Sequence, residues 1–85
     1  MPIYKEAQFR RADLKEVNFQ GANLMKANFG RDNLGGSTQL QGANLSQAQT
    51  QGAIFEGAEY DIHTVFPELF DPKKEGMCLR PLAAY

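Results

Sequence analysis

The run Ala7-Gln8-Phe9-Arg10-Arg11-Ala12-Asp13-Leu14-Lys15-Glu16-Val17-Asn18-Phe19-Gln20-Gly21-Ala22-Asn23-Leu24 repeats its own pattern every five residues. Bulky apolar side chains stand at Phe9, Leu14, Phe19, Leu24, Phe29 and Leu34. Two places before each lie Ala7, Ala12, Val17, Ala22, Ala27 and Asp32. After Gly35-Gly36-Ser37 the pattern slips by one residue and resumes at Leu40, Leu45, Thr50, Phe55 and Tyr60, preceded by Thr38, Ala43, Ala48, Ala53 and Ala58, which makes about eleven units. Five steps of ~100° around a helix put the next bulky residue about 140° from the last, so no helical stripe forms. In a straight strand five steps reach the opposite face, and half the Phe and Leu side chains would meet water. Every bulky residue is buried only if the chain turns a corner once per unit around a common axis.

The residues between agree with that geometry. Immediately before the bulky positions come Gln8, Asp13, Asn18, Asn23, Asn28, Asn33, Gln39, Asn44, Gln49, Ile54 and Glu59, nearly all polar. Short Asn and Asp side chains bond nearby backbone and so favour turns. Two places after the bulky positions fall Gly21, Gly36, Gly42, Gly52 and Gly57, where a bend is tolerated.

Ala12-Asp13-Leu14, Ala22-Asn23-Leu24, Ala27-Asn28-Phe29 and Ala43-Asn44-Leu45 resemble the units of the pentapeptide-repeat family, and the resemblance runs from residue 7 to about 61. It implies an all-β fold: a right-handed quadrilateral β-helix with four units per coil and just under three coils, small and bulky residues inside. Stacking bulky residues about twenty apart predicts the columns Phe9, Phe29, Thr50; Leu14, Leu34, Phe55; Phe19, Leu40, Tyr60; and Leu24, Leu45. Residues 1–6 then form a short leader, 7–61 the solenoid and 62–85 a C-terminal cap. Tyr60-Asp61, Thr64, Phe66-Pro67 and Phe70-Asp71-Pro72 are similar to the ending of small bacterial, especially cyanobacterial, members. Val65, Phe66, Leu69 and Phe70 are expected to fold over the last coil through a short helical turn. Only Ile3 and Tyr4 cover the other end. That end is expected either to fray or to pack against a partner or a second copy in a homodimer.

Asp32 stands where the pattern calls for a small apolar residue. Either Gly35-Gly36-Ser37 bulges the coil and lets its carboxylate bond backbone amides, or the irregularity is a binding notch.

The 85 residues suffice for one small domain, and nine basic against ten acidic side chains give a formal charge of −1. That balance argues against nucleic acid as a partner. No apolar run reaches the ~18 residues of a membrane span, no secretory signal opens the chain, and Cys78 has no second cysteine to pair with. A soluble, cytoplasmic protein is expected. His63 near Asp61 has the residue types of a catalytic dyad, with Cys78, Ser37 and Ser46 as remote nucleophiles, but both fall where backbone needs satisfying. One His and one Cys do not make a zinc site. The glycines follow the repeat rather than a nucleotide loop, so no cofactor is expected.

Charge is unevenly distributed. Residues 1–35 hold six basic and four acidic side chains, +2, and the remainder three basic and six acidic, −3. Column stacking gathers Arg10, Arg11 and Arg31 on one outward face, and Met25 is apolar at an outward position. Those four are the candidate contacts for a protein partner, and the chain reads as a non-enzymatic interaction or scaffold module. The rival reading is DNA mimicry directed at a protein such as gyrase. Certain family members act in that way, but they are longer and strongly acidic.

Overall fold

In the computed structural model, which describes residues 2–81, the chain winds into successive coils joined by single-residue parallel bridges. Ile3, Gln8, Asp13 and Asn18 of the first coil bridge Asn23, Asn28, Gln39 and Asn44 of the second, and Asn23, Asn28, Gln39 and Asn44 in turn bridge Gln49, Ile54, Glu59 and Val65. Four ladders thus run down a β-helix-like stack. The longest strands are β1 (Glu59–Tyr60) and β2 (Cys78–Leu79), paired in parallel, and the described residues contain no helix.

The regular corners are built in the same way. The amide of the small residue donates to the carbonyl of the preceding bulky one, as in Ala12 to Phe9 at 3.1 Å and Ala27 to Leu24 at 3.1 Å. The third residue of that turn has positive φ, as type II turns require. Glycine fills the position at Gly21, Gly42, Gly52 and Gly57, but Glu6, Arg11, Glu16, Lys26 and Gln47 adopt it with φ of 60 to 63°. The polar residue before the bulky one fixes the corner from outside. Asn18 Oδ1 accepts from the Gln20 amide at 3.0 Å, Asn23 Oδ1 from Met25 at 3.1 Å and Asn44 Oδ1 from Ser46 at 3.0 Å. This local bond is why Asn and Asp recur there.

The interior is a set of columns. Phe29 lies between Phe9 and Phe55, with ring centroids 5.0 and 4.7 Å apart and interplanar angles of 14° and 6°. The ladders set Leu14 over Leu40 and Tyr60, Phe19 over Leu45 and Phe66, and Leu24 over Thr50. Of the expected columns, Phe9 on Phe29 and Leu40 on Tyr60 agree with these ladders, whereas Phe29 on Thr50, Leu14 on Leu34 and Phe55, Phe19 on Leu40 and Leu24 on Leu45 do not. The reason is the irregularity. Bridges that enclose it span 26 residues, as Asp13 to Gln39, where regular ones span 20, as Gln8 to Asn28. The chain does not slip by one residue but expels six, and Leu34 stands at the tip of the loop, 87% exposed.

Asp32 organises that loop by bonding backbone amides. Its Oδ1 accepts from Gly36 at 2.6 Å and Leu34 at 2.9 Å, and its own amide donates to the Gly36 carbonyl at 3.0 Å. Thr38 closes the base of the loop. Its buried hydroxyl accepts from the Arg11 amide at 2.9 Å and donates to the Phe9 carbonyl at 2.8 Å.

Ladder bonding starts before residue 7, since Ile3 bridges Asn23 and the Tyr4 amide donates to the Asn23 carbonyl at 2.8 Å. The Tyr4 ring meets Phe9 and Phe19 at 5.9 and 5.2 Å and partly closes that end. At the other end Phe66 and Phe70 stack at 4.9 Å, and Phe70 sets its edge on Phe55 at 5.1 Å. Val65 and Leu69 do not join them. Val65 is a ladder residue and Leu69, at φ 68°, is 98% exposed, because a turn rather than a helix carries the chain there. The ladder continues through Cys78, whose amide donates to the Ala58 carbonyl at 2.8 Å. Residues 82–85 of the expected cap lie outside the described residues.

Candidate protein-interaction site

The face over the phenylalanine column carries the outward residues that follow Phe9, Phe29 and Phe55. They are Arg10, Gly30 and Glu56. Gly30 leaves the middle of this column without a side chain. A hollow results, lined by Arg10, Asn28, Gly30, Arg31, Ile54 and Glu56. A side chain at this position would be crowded. A Cβ on Gly30 would sit 3.1 Å from Asn28 Oδ1, 3.4 Å from Ile54 Cγ2 and 3.5 Å from the Glu56 carbonyl.

Two arginines flank it. The aliphatic stem of Arg31 lies directly on Gly57, where a Cβ would come within 2.5 Å of its Cγ and Nε. Ion pairs among the described residues join Arg11 to Asp32, Lys15 to Asp13 and Arg80 to Glu59. Arg10 and Arg31 belong to none of them. Asn28 turns its Oδ1 to the Gly30 amide, accepting from it at 2.8 Å. Ile54 is half exposed beside Gly30.

The four residues singled out in the sequence therefore separate. Arg10 and Arg31 share the hollow. Arg11 lies over Gly36 and reaches Asp32 Oδ2 at 3.5 Å, so it belongs to the expelled loop. The Gly36 amide, opposed by partial burial and assisted by the Leu34 amide and Arg11, holds the Asp32 carboxyl below its usual 3.8. Met25, half-buried, is on the neighbouring unit and does not line the hollow. Asn28, Gly30 and Glu56 are not among the candidates that the sequence offers, and Ile54, apolar at an outward position like Met25, is only a weaker one. The available signal was the phase of Gly30, which stands one place after a bulky residue rather than two.

A second hollow is lined by Lys15, Glu16, Gln41, Gly42, Asp61 and His63. Asp61 is committed to backbone, its Oδ1 accepting from the Gly42 and His63 amides, each at 3.0 Å, with the Thr64 hydroxyl 3.3 Å away. Burial pushes this carboxyl up, but the Gly42, His63 and Thr64 donors outweigh it and the net direction is downward. His63 contributes its backbone amide, and its side chain is exposed. Among the described residues no group of His, Cys, Asp and Glu is arranged to hold a metal.

Four parallel ladders, inward small and bulky columns and a corner every five residues define a β-helix-like repeat protein. The family pattern for pentapeptide repeats, in eight copies, matches residues 3–31. A crystal structure of a pentapeptide repeat protein from Nostoc Pcc 7120 is 31% identical over 92% of this chain and 76% of that one, with a TM-score of 0.46. No curated protein matches. The chain belongs to the pentapeptide-repeat family.

Proposed function

We propose that this chain is a non-enzymatic protein-interaction module, a right-handed four-sided solenoid whose phenylalanine-column face receives an acidic segment of a protein partner in the cytoplasm. The observation that carries the reading is the pair of guanidiniums, Arg10 and Arg31, which flank one hollow without an ion pair among the described residues. A ladder-held surface loses little entropy on binding, so a few such contacts suffice. Arg11 and Met25 extend the contact outward from the hollow. The lone Cys78 and the balanced net charge of −1 favour a reducing compartment and a protein rather than nucleic acid as partner. None of the helices needed to cross a membrane occurs among the described residues.

Affinity capture from the source lysate, with wild type beside an Arg10, Arg11 and Arg31 triple alanine variant, tests this reading. A partner retained by wild type, lost by the variant and released by raised salt supports it. Identical captured sets reject it. The DNA-mimic alternative is disfavoured by the same arginines, because a duplex mimic needs carboxylates along its faces. Neither inhibition nor protection in a gyrase supercoiling assay is the expected result.

The N-terminal end supports a second reading, self-association through the first coil. Phe9, Leu14 and Val17 are only partly buried there, and the Gln8, Asp13 and Asn18 amides carry no backbone bond among the described residues. Sedimentation at rising concentration should then show a dimer that a Tyr4→Arg variant abolishes. A monomer throughout ends this second reading.

A further inference from the structure

We infer that the hollow over Gly30 is a carboxylate-binding notch for a glutamate side chain of an acidic peptide segment. The inference rests on the protein-interaction reading and gives that reading a ligand chemistry. The floor of the notch is the backbone of Gly30, which has no side chain to fill it. Gly30 is buried between Arg10 above and Glu56 below, and a Cβ there would crowd Asn28 Oδ1 at 3.1 Å.

Three residues with donor groups line it. Arg10 and Arg31 supply guanidiniums, whose planar forks match carboxylate oxygens. Asn28 supplies its amino group, since its Oδ1 is held by the Gly30 amide at 2.8 Å. Gly57 seats the Arg31 stem, so less freedom is lost when that arginine binds.

The remaining lining selects among anions. Glu56 makes the local balance two positive charges against one negative, a net +1 that a single carboxylate neutralises and a phosphate dianion would overshoot. Ile54 offers an apolar wall for the methylenes of a glutamate, and the Glu56 carboxylate can accept a backbone N–H of the incoming segment.

The test is a titration of the full ¹⁵N-labelled chain, at low ionic strength, with an end-blocked tetraglutamate peptide, inorganic phosphate and an end-blocked tetralysine peptide. Tetraglutamate should give saturable shifts centred on the Asn28, Gly30 and Arg31 amides. Binding should weaken about tenfold in Arg10→Gln and in Arg31→Gln, as expected for loss of one charge-assisted contact. Glu56→Gln should tighten it. Unchanged melting temperatures would confirm that the variants fold.

Any of three results overturns the inference: phosphate binding at these amides in preference to the peptide, shifts spread over Lys5, Lys15, Lys26, Lys73 and Lys74 without saturation, or binding unaffected by Arg10→Gln. The two readings fail separately. If the lysate partner is lost in the triple variant while tetraglutamate does not bind, the module reading stands and the notch falls. Saturable peptide binding without a captured partner gives the reverse.

Discussion

Removing residues 32–37 should leave the fold intact. The cut joins Arg31 to Thr38, so that Phe29-Gly30-Arg31-Thr38-Gln39-Leu40 restores the five-residue spacing between bulky residues. Little buried surface is lost, because Leu34 is 87% exposed and the Asp32 bonds to Leu34 and Gly36 leave together with the groups they satisfy. The Arg11–Asp32 pair is exposed and contributes little. Closing a six-residue loop costs roughly 1.6 kcal/mol by the chain-entropy relation, and the deletion removes that cost. Against it, Arg31 must take the positive φ that Arg11 adopts at 61°, at about 1 kcal/mol. The two terms nearly cancel and leave a change between zero and about +1 kcal/mol, or up to about 8 °C in melting temperature for a domain of this size. Thermal melts followed by circular dichroism, with urea titrations for the slope, measure it. A melt that loses cooperativity, or a midpoint lower by more than about 10 °C, would refute the view that the loop lies outside the ladder.

Phe29→Ala should cost about 3–5 kcal/mol, since this ring is fully buried and stacked on both faces, whereas Phe9→Ala at the open end should cost clearly less; urea midpoints compare the two. Leu69→Gly and Gln47→Gly should each stabilise by up to about 1 kcal/mol by relieving positive φ, and Gly21→Ala, where a Cβ meets open space, should destabilise by about as much. Equal melting points for Gly21→Ala and wild type would show that the corner is not strained. The Asp32 and Asp61 carboxyls both lie below their usual 3.8 in the folded state, so their stabilisation is complete above that pH and is lost as pH falls through the folded values. Melts from pH 7 to pH 2 should therefore show a decline confined to the acid limb, and the gap between wild type and Asp61→Ala should close there. A gap that persists at pH 2 would mean that the carboxylate's charge is not what stabilises the junction.

The period of Phe9, Leu14, Phe19 and Leu24 carried the fold, because only a corner per unit buries all of them. The Asn and Asp positions were equally legible, since their turn bonds are local. What failed was register across a gap. A one-residue slip and a six-residue expulsion leave the same spacing from Leu40 onward, so counting alone cannot separate them. The hollow was half legible. Arg10 and Arg31 sit twenty-one residues apart within a regular stretch and fall on one face in either register. Ile54 and Glu56 lie beyond the gap and could not be assigned to that face.

The choice between registers turns on Asp32. Drawing its unit inward would bury Leu34, worth roughly 1.5–3 kcal/mol, but it would also carry the Asp32 carboxylate into a slot that elsewhere holds alanine, away from the Gly36 and Leu34 amides that satisfy it. It would also set Phe29 over Thr50 and give up the 4.7 Å stack on Phe55. Both penalties oppose the gain from one leucine, and expulsion wins. The outer face follows the inner one. With Phe55 beneath Phe29, Ile54 and Glu56 come under Gly30 and complete the hollow; with Thr50 there, Gln49 and Gln51 would take their places. An acidic residue that does not line the hollow thus decides which side chains do.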